Sequence, residues 1–525
     1  MTKLRTLLGA LLLGLMVPGL LSADDATPPS PNPARSAVHA DRAKFPDPVF
    51  GKEPGYVELY WKACDLATAH VLSQPGLPQS PYMDEAFWDD TIWIWDACFM
   101  SLYCRYAPGA LPGIESLSNF YAPIHDGASM TLTAPFDGQA NFHVVIQHPD
   151  NPPLFAWAEW QSFQMTGDVA RIKWLLEDKQ YLQKHYQWFN ALKRGETFPW
   201  ARIPAGLSPQ ALGFQWTGVA SGMDNSPRFE SKDVLAVDAL AQQGLAARTI
   251  ARLAEVIHDE PLAAQYRQEY ERVRDLVNSH YWDEADGFYY DLMPDGKTFS
   301  RVRTPASFWP VLAGMAVPQR IARMVDAVRD PSDLGGAVPW VSVSRSDKDF
   351  NGATGDYWRG SVWLPTAYMG IRALTENGQG DLADETAETV LHRMYITYRD
   401  YDPHTIWECY NPNRPEPAMH GNDRVRPDFC GWSALGPISL FIENVIGIHS
   451  VDATRRVVEW HLHQPGRNGL RNFHFGDVTT DFVANGGGFV DVTSNHAYTL
   501  VVNGTALDVK PGSQRFVVPV STGGQ

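Results

Sequence analysis

Residues 221–228 read Ser-Gly-Met-Asp-Asn-Ser-Pro-Arg and set a carboxylate, Asp224, between a glycine, a proline and an arginine. Gly222 has backbone angles closed to other residues, Pro227 fixes its own φ and turns Ser226 toward an extended shape, and Arg228 is suited to gripping an acidic partner. The stretch predicts an ordered loop, not a helix face. Alone, it also resembles the loop that feeds a helix, since acidic residues commonly cap helices. Three further loops bear on the choice: Trp93-Ile94-Trp95-Asp96, Tyr357-Trp358-Arg359-Gly360-Ser361-Val362-Trp363 and Ile406-Trp407-Glu408-Cys409-Tyr410. Each puts Trp or Tyr beside a charged residue, and the Asp224 loop has Phe229 close by. Sugar rings carry apolar C–H faces and a rim of hydroxyls, so a site for them needs flat aromatic platforms edged by Asp, Glu, Arg or Gln. Any one segment reads equally well as core aromatics beside paired charges, but four together favour a carbohydrate site.

Around these loops the chain reads as helical from about Tyr56 to Ile446. Leu235, Ala239, Ala246, Ile250, Leu253 and Ile257 form one apolar stripe, and similar runs at 154–166, 170–193, 260–279, 305–328, 360–375 and 380–397 predict roughly a dozen helices. Tyr281–Asp291 reads as a helix end running into a hairpin. The last 75 residues alternate in short β-branched runs, Val457–Leu462, Tyr498–Val502 and Phe516–Val520, separated by Gly- and Asn-rich turns. The expected organisation is a signal peptide over 1–23, a Pro-rich tether over 24–50, a helical catalytic domain over 51–450 and a β-rich accessory domain over 451–525.

Bulk properties narrow the function. A chain of 525 residues with 44% hydrophobic and 20% charged residues has ample apolar surface to bury, and its net charge of −17 argues against nucleic acid or anionic lipid as partner. Lys3 and Arg5 precede an apolar run from Leu7 to Leu21, which predicts cleavage after Ala23, export to the periplasm or medium, and no membrane attachment afterwards. Five cysteines without CxxC pairs allow at most two disulfides. Cys409 and Cys430 flank one loop and are candidates for a bridge, with buried free thiols the alternative.

Hydrolysis of a glycosidic bond needs one carboxyl group to protonate the departing oxygen and one to activate water or attack carbon. Asp224 and Glu408 are the natural pair, with Asp96, Asp356 and Asp428 as weaker candidates. Three of the quoted segments, GMDNSPR at 222–228, YWRGSVW at 357–363 and WECY at 407–410, followed by FCGWSALGP at 429–437, resemble the six-hairpin glycosidases of clan G. The resemblance is to glycoside hydrolase family 63 and its mannosylglycerate-hydrolase-like branch, to which the trehalases of family 37 are related, and it covers about residues 55–447. It implies a mainly α fold, an (α/α)6 barrel of six helical hairpins to which this chain adds a small C-terminal β module. It also implies an inverting mechanism with Asp224 as general acid and Glu408 as general base. By the same resemblance Arg359 binds sugar hydroxyls, and Trp95, Asp96, Gln147, Trp358, Trp363 and Trp407 line the pocket. Two departures stand out: four residues separate Gln147 from Pro152-Pro153, where the family often has a compact Gln-Pro-Pro, and Ser361 stands where a proline is common.

The expected function is an exported inverting exo-α-glycosidase removing terminal α-linked glucose or mannose from oligosaccharides or glycosides, with no cofactor. A structural calcium in the acidic loop Asp347–Asp356 is a further candidate. Alternatives are a polysaccharide lyase or sugar epimerase acting through His143, Tyr357 or Tyr410, and a non-catalytic glycan-binding protein. Nothing in the sequence sets the oligomeric state, the sugar or the linkage.

Overall fold

The computed structural model describes residues 38–73, 77–86, 91–126, 145–146, 151–192, 209–210, 212–230 and 234–518. The expected signal peptide, Gln147 and His143 lie outside the described residues.

The body is mainly helical, and its innermost helices are apolar on every side. Ile94–Cys104 is buried at each of its positions, so sequence periodicity cannot single out a core face there. This helix packs on Phe155–Thr166, which packs on Val237–Val256; the sequence continues through the short Trp309–Leu312 to Leu364–Glu376. Leu364–Glu376 in turn meets Ser433–Leu435 and the π-helical Gly436–Ile446, and both of these return to Ile94–Cys104. Partner helices lie outside and bury one stripe. Glu260–His280 buries Ala263, Tyr266, Val273 and Val277 against Val237–Val256, and Asp259 caps it by accepting from the Leu262 N–H at 3.0 Å. Gly380–Asp400 returns along Leu364–Glu376 after a turn in which Gly378 has φ +76°.

Two expected helices are broken, for local reasons. The run 305–328 divides into a 3₁₀ turn at Pro305–Phe308, Trp309–Leu312 and Pro318–Arg329, since Gly314 takes φ +71° and Pro318 starts the last piece. The run 170–193 divides into Val169–Lys173, a π turn at Trp174–Asp178 and Tyr181–Ala191, with Gln180 at φ +54° in the gap. The expected hairpin after Glu260–His280 is present, with Trp282–Asp283 paired antiparallel to Phe288–Tyr289. Among the described residues no helix is long and apolar enough to cross a membrane.

The strand-rich C-terminal region holds two sheets. One runs Ile448–Asp452, Val457–Trp460, Tyr498–Val502, Thr505–Val509, with a parallel pairing between the second and third strands. The other is antiparallel throughout and includes Arg467–Phe475, Val478–Asn485, Phe489–Ser494 and Gly512–Val517. Rings join the sheets across the interior, Trp460 on Phe482 at 5.2 Å and Phe475 on Tyr498 at 5.5 Å. The first strand of the second sheet is Asp47–Phe50, paired Asp47↔Arg471 to Phe50↔Asn468, so the end of the expected tether is a sheet edge. Gly476 N–H donates to Met165 O at 2.8 Å, and Trp460 Nε1 to Ile446 O at 2.8 Å, which seats the sheets on the helical body. All five cysteines are buried free thiols, so Cys409 and Cys430 form no bridge.

Candidate active site

Each of the four loops runs into an inner helix: Trp93 precedes Ile94–Cys104, the Asp224 loop precedes Val237–Val256, Trp363 precedes Leu364–Glu376, and the Glu408 loop leads through Cys430 to Gly436–Ile446. The loops therefore gather at the N-terminal end of the helical ring.

The Asp224 loop is fixed by its neighbours in sequence. Arg228, fully buried, donates from Nη1 and Nη2 to Asp238 and from Nε and Nη2 to Asp291, all four contacts at 2.8 Å. Asp291 also accepts from the Val237 N–H at 3.0 Å, so the arginine ties the loop to the first turn of Val237–Val256. Asn225 ties it to the opposite loop, its Nδ2 donating to Asp356 O at 3.1 Å and its Oδ1 accepting from the Trp358 N–H at 2.8 Å. Gly222 takes φ +76° beside the Trp95 ring, where a Cβ would stand 3.1 Å from the indole. A Cβ on Gly218 would lie 2.0 Å from Asp224 O, a backbone atom that cannot swing aside. Gly218→Ala is accordingly expected to shift Asp224 and lower kcat by about 100-fold, as a misplacement of roughly 1 Å does, with circular dichroism unchanged.

Asp224 itself is exposed. It lines a cavity of about 180 Å³ with Thr217, Gly218, Asn225, Phe229 and Arg359. Arg359 pairs there with Glu230 and lies 3.9 Å from Asp349. A larger cavity of about 540 Å³, lined by Tyr186, Gln265, Glu269 and Arg272, carries none of the four loops.

Glu408 is the opposite case, 2% exposed. Its Oε1 accepts from Tyr357 OH at 2.9 Å and its Oε2 from the Arg426 N–H at 3.2 Å, while Trp432 Nε1 and Ser433 Oγ donate to its backbone oxygen at 2.9 and 3.1 Å. Burial pushes the Glu408 carboxyl up; the Arg426 charge and N–H and the Tyr357 hydroxyl pull it back, and it ends above the usual value. Asp96, buried at the start of Ile94–Cys104, is raised well above the carboxylate range by burial and by repulsion from Asp224 and Glu408. Asp224, Glu408 and Asp96 thus share one electrostatic neighbourhood with Tyr357, whose hydroxyl is raised by burial and then by Glu408 and Asp224, and stays protonated.

The other sequence candidates fall in two groups. Trp358 and Trp363 stack on each other, 4.0 Å apart and 5° from parallel, each 1% exposed; they form the wall behind Tyr357 rather than an open platform. Trp95 and Trp407 are also buried, at 4% and 3%. Asp356 holds the loop by accepting from the Gly421 N–H at 3.0 Å, and Asp428 pairs with Thr405 and, at 3.5 Å, with Lys62. The Ser361 N–H, which a proline lacks, donates to Gly355 O at 3.2 Å. Sequence reasoning missed Glu85, which is fully buried, accepts from the Trp93 N–H at 2.7 Å and is driven well up by burial and by Asp96. No motif marks Glu85, and only the buried backbone around it could have drawn attention to it.

The helical body shares its fold with solved glycosidases. A family 63 mannosylglycerate hydrolase of Thermus thermophilus matches with a TM-score of 0.54 at 17% identity, over 73% of this chain and 99% of that one. A sialidase matches with a TM-score of 0.66 at 14% identity, over 91% of this chain and 41% of that one. In sequence, the mannosyl-oligosaccharide glucosidase of Saccharomyces cerevisiae is 26% identical over 51% of this chain, which spans about a third, 34%, of that relative's length. The profile of the mannosylglycerate hydrolase MGH1-like glycoside hydrolase domain matches residues 147–423, just over half of the chain. The protein is a glycoside hydrolase. It belongs to the mannosylglycerate hydrolase MGH1-like family.

Proposed function

We propose that the protein is an exported, inverting exo-α-glycosidase that removes a terminal α-linked glucose or mannose, with Asp224 as general acid and Glu408 as general base. The observation that carries this reading is the contrast between the two carboxyl groups, Glu408 buried and hydrogen-bonded, Asp224 exposed on the cavity wall with Arg359. A water held against Glu408 loses its proton as it attacks the anomeric carbon, while Asp224 gives its proton to the departing oxygen. The raised Glu408 is a stronger base than a solvated carboxylate. Asp224, exposed on the cavity wall, is in place to meet the departing oxygen of a sugar bound there. The cavity, smaller than the roughly 300–1,000 Å³ of drug-sized pockets, suits one terminal sugar unit, with Arg359 on its wall as the group for the sugar hydroxyls; Asp96, Trp95, Trp358, Trp363 and Trp407 stand buried behind the loops that form it.

The ring of inner helices with outer partners supports an (α/α)6 barrel over 51–450, with 451–525 as accessory β domain. Lys3 and Arg5 followed by the apolar run Leu7 to Leu21 support export. Tyr357 donates its hydroxyl to Glu408, an arrangement that suits holding the Glu408 carboxylate rather than taking a proton from substrate.

The test is a panel of α-linked glucose and mannose disaccharides and glycerate glycosides, with free hexose expected from wild type and none from Glu408→Gln. The base must be ionised, so kcat/KM falls as pH drops through the raised Glu408 value, above the ordinary glutamate range. Tyr357→Phe removes a hydroxyl that stabilises the anion, and is expected to move this acid limb to still higher pH.

A further inference from the structure

We propose that Asp384, His449 and His461 form a binding site for one divalent transition-metal ion of zinc type, clasping the C-terminal sheets to the helical body. The three residues come from separate elements: Asp384 from Gly380–Asp400, His449 from Ile448–Asp452, and His461 from the residue after Val457–Trp460. Their ligand atoms all lie within 4.8 Å of one another. Tetrahedral zinc at about 2.0–2.1 Å from each ligand spaces those atoms roughly 3.3 Å apart, so only small side-chain adjustments separate this cluster from coordination.

The backbone is shaped to bring these groups together. His449 sits where the register slips between Ile448↔Trp460 and Ser450↔Glu459, a bulge that re-aims its side chain. Gly447, at φ +103°, passes so close to His461 O that a Cβ would stand 2.1 Å away, and the His461 N–H donates to Gly447 O at 2.8 Å. Asp384, 4% exposed at its side chain, meets His449 Nε2 at 2.9 Å and His461 Nδ1 at 2.6 Å, while Asn444 Nδ2 donates to it at 2.8 Å.

The two imidazoles, with ring centres 5.0 Å apart, and the Asp384 carboxylate gather two ring nitrogens and a carboxylate oxygen around one point, the mixed nitrogen and oxygen donor set that a divalent cation of zinc type takes. The surroundings match a metal centre: His461 would coordinate through Nδ1, the nitrogen that already faces Asp384, and Asn444 orients Asp384 by donating to it. His463 is an outer partner. Its Nε2 contacts the Gln464 amide at 2.9 Å and its Nδ1 contacts His461 O at 3.0 Å, so its lone pair is already engaged. His461 is 30% exposed, which gives the ion a way in.

The test uses untagged full-length protein stripped with chelator and then titrated with Zn²⁺, read by calorimetry, elemental analysis and thermal melting. One equivalent is expected to bind and to raise Tm. His449→Gln and His461→Gln, each checked for native circular dichroism, are expected to lower affinity by at least the roughly 10–100-fold that loss of an outer-shell partner costs. Should either variant fold poorly, Co²⁺ in wild type gives an independent readout, the intense visible bands of a tetrahedral site. Absence of stoichiometric metal in wild type, or Zn²⁺ binding and a Tm rise equal in wild type and folded variants, would overturn the proposal and leave a histidine–aspartate ion-pair cluster.

Discussion

Glu408→Gln is expected to lower kcat by about 10²–10⁴-fold with the fold intact, the loss that follows removal of a positioned general base. Glutamine keeps the size of the side chain and an acceptor for the Tyr357 hydroxyl, so the wall of Tyr357, Trp363 and Trp358 stays assembled. The site also gives up a buried carboxylate whose charge is disfavoured by desolvation, so stability does not suffer from loss of the charge. Asp224→Asn distinguishes the two roles. With an α-glycosyl fluoride, whose leaving group needs no proton, it is expected to retain most of the wild-type rate while losing about 10²–10⁴-fold on a disaccharide. Glu408→Gln is expected to be equally slow on both, because attack by water is needed in either case. Equal losses on both substrates for Asp224→Asn would remove the acid role from Asp224.

The second large effect is on stability. Arg228→Met is expected to cost about 3–5 kcal/mol in urea unfolding, since it leaves Asp238 and Asp291 buried without their counter-charge. Arg228→Lys recovers only part of this, because one ammonium cannot reach four carboxylate oxygens arranged around a planar guanidinium. Combining Arg228→Met with Asp291→Asn is expected to cost less than the sum of the two single changes, since the carboxylates and the arginine form one network. A loss below about 1 kcal/mol for Arg228→Met, the range of exposed ion pairs, would contradict this view of the loop.

These two residues also show what the sequence made legible. The Asp224 loop was readable because its fixing devices are contiguous: Gly222, Asn225, Pro227 and Arg228 all act within a few residues of the carboxylate they place. The outer helices were readable from their single apolar stripe. The inner ones kept no stripe, and the breaks in 170–193 and 305–328 depended on single positions such as Gln180 and Gly314. Features that join distant segments left no local trace. Tyr357 meets Glu408 across 51 positions, Asp47 pairs with Arg471, and Asp384 collects one histidine from a later strand and one from just past the next. The stacking of Trp358 on Trp363 withdrew both rings from the open platform that their composition had suggested, because the loop folds back on itself between them.

The central claim is that Asp224 and Glu408 act on opposite faces of the anomeric carbon. Proton NMR of the sugar released from an α-linked disaccharide, followed from the earliest time points, tests it most directly. Fresh β-anomer that later relaxes to the equilibrium mixture is expected from wild type, with no release from Glu408→Gln. Fresh α-anomer would mean retention, which places the two carboxyl groups at the roughly 5–5.5 Å of a nucleophile–acid pair and contradicts the mechanism.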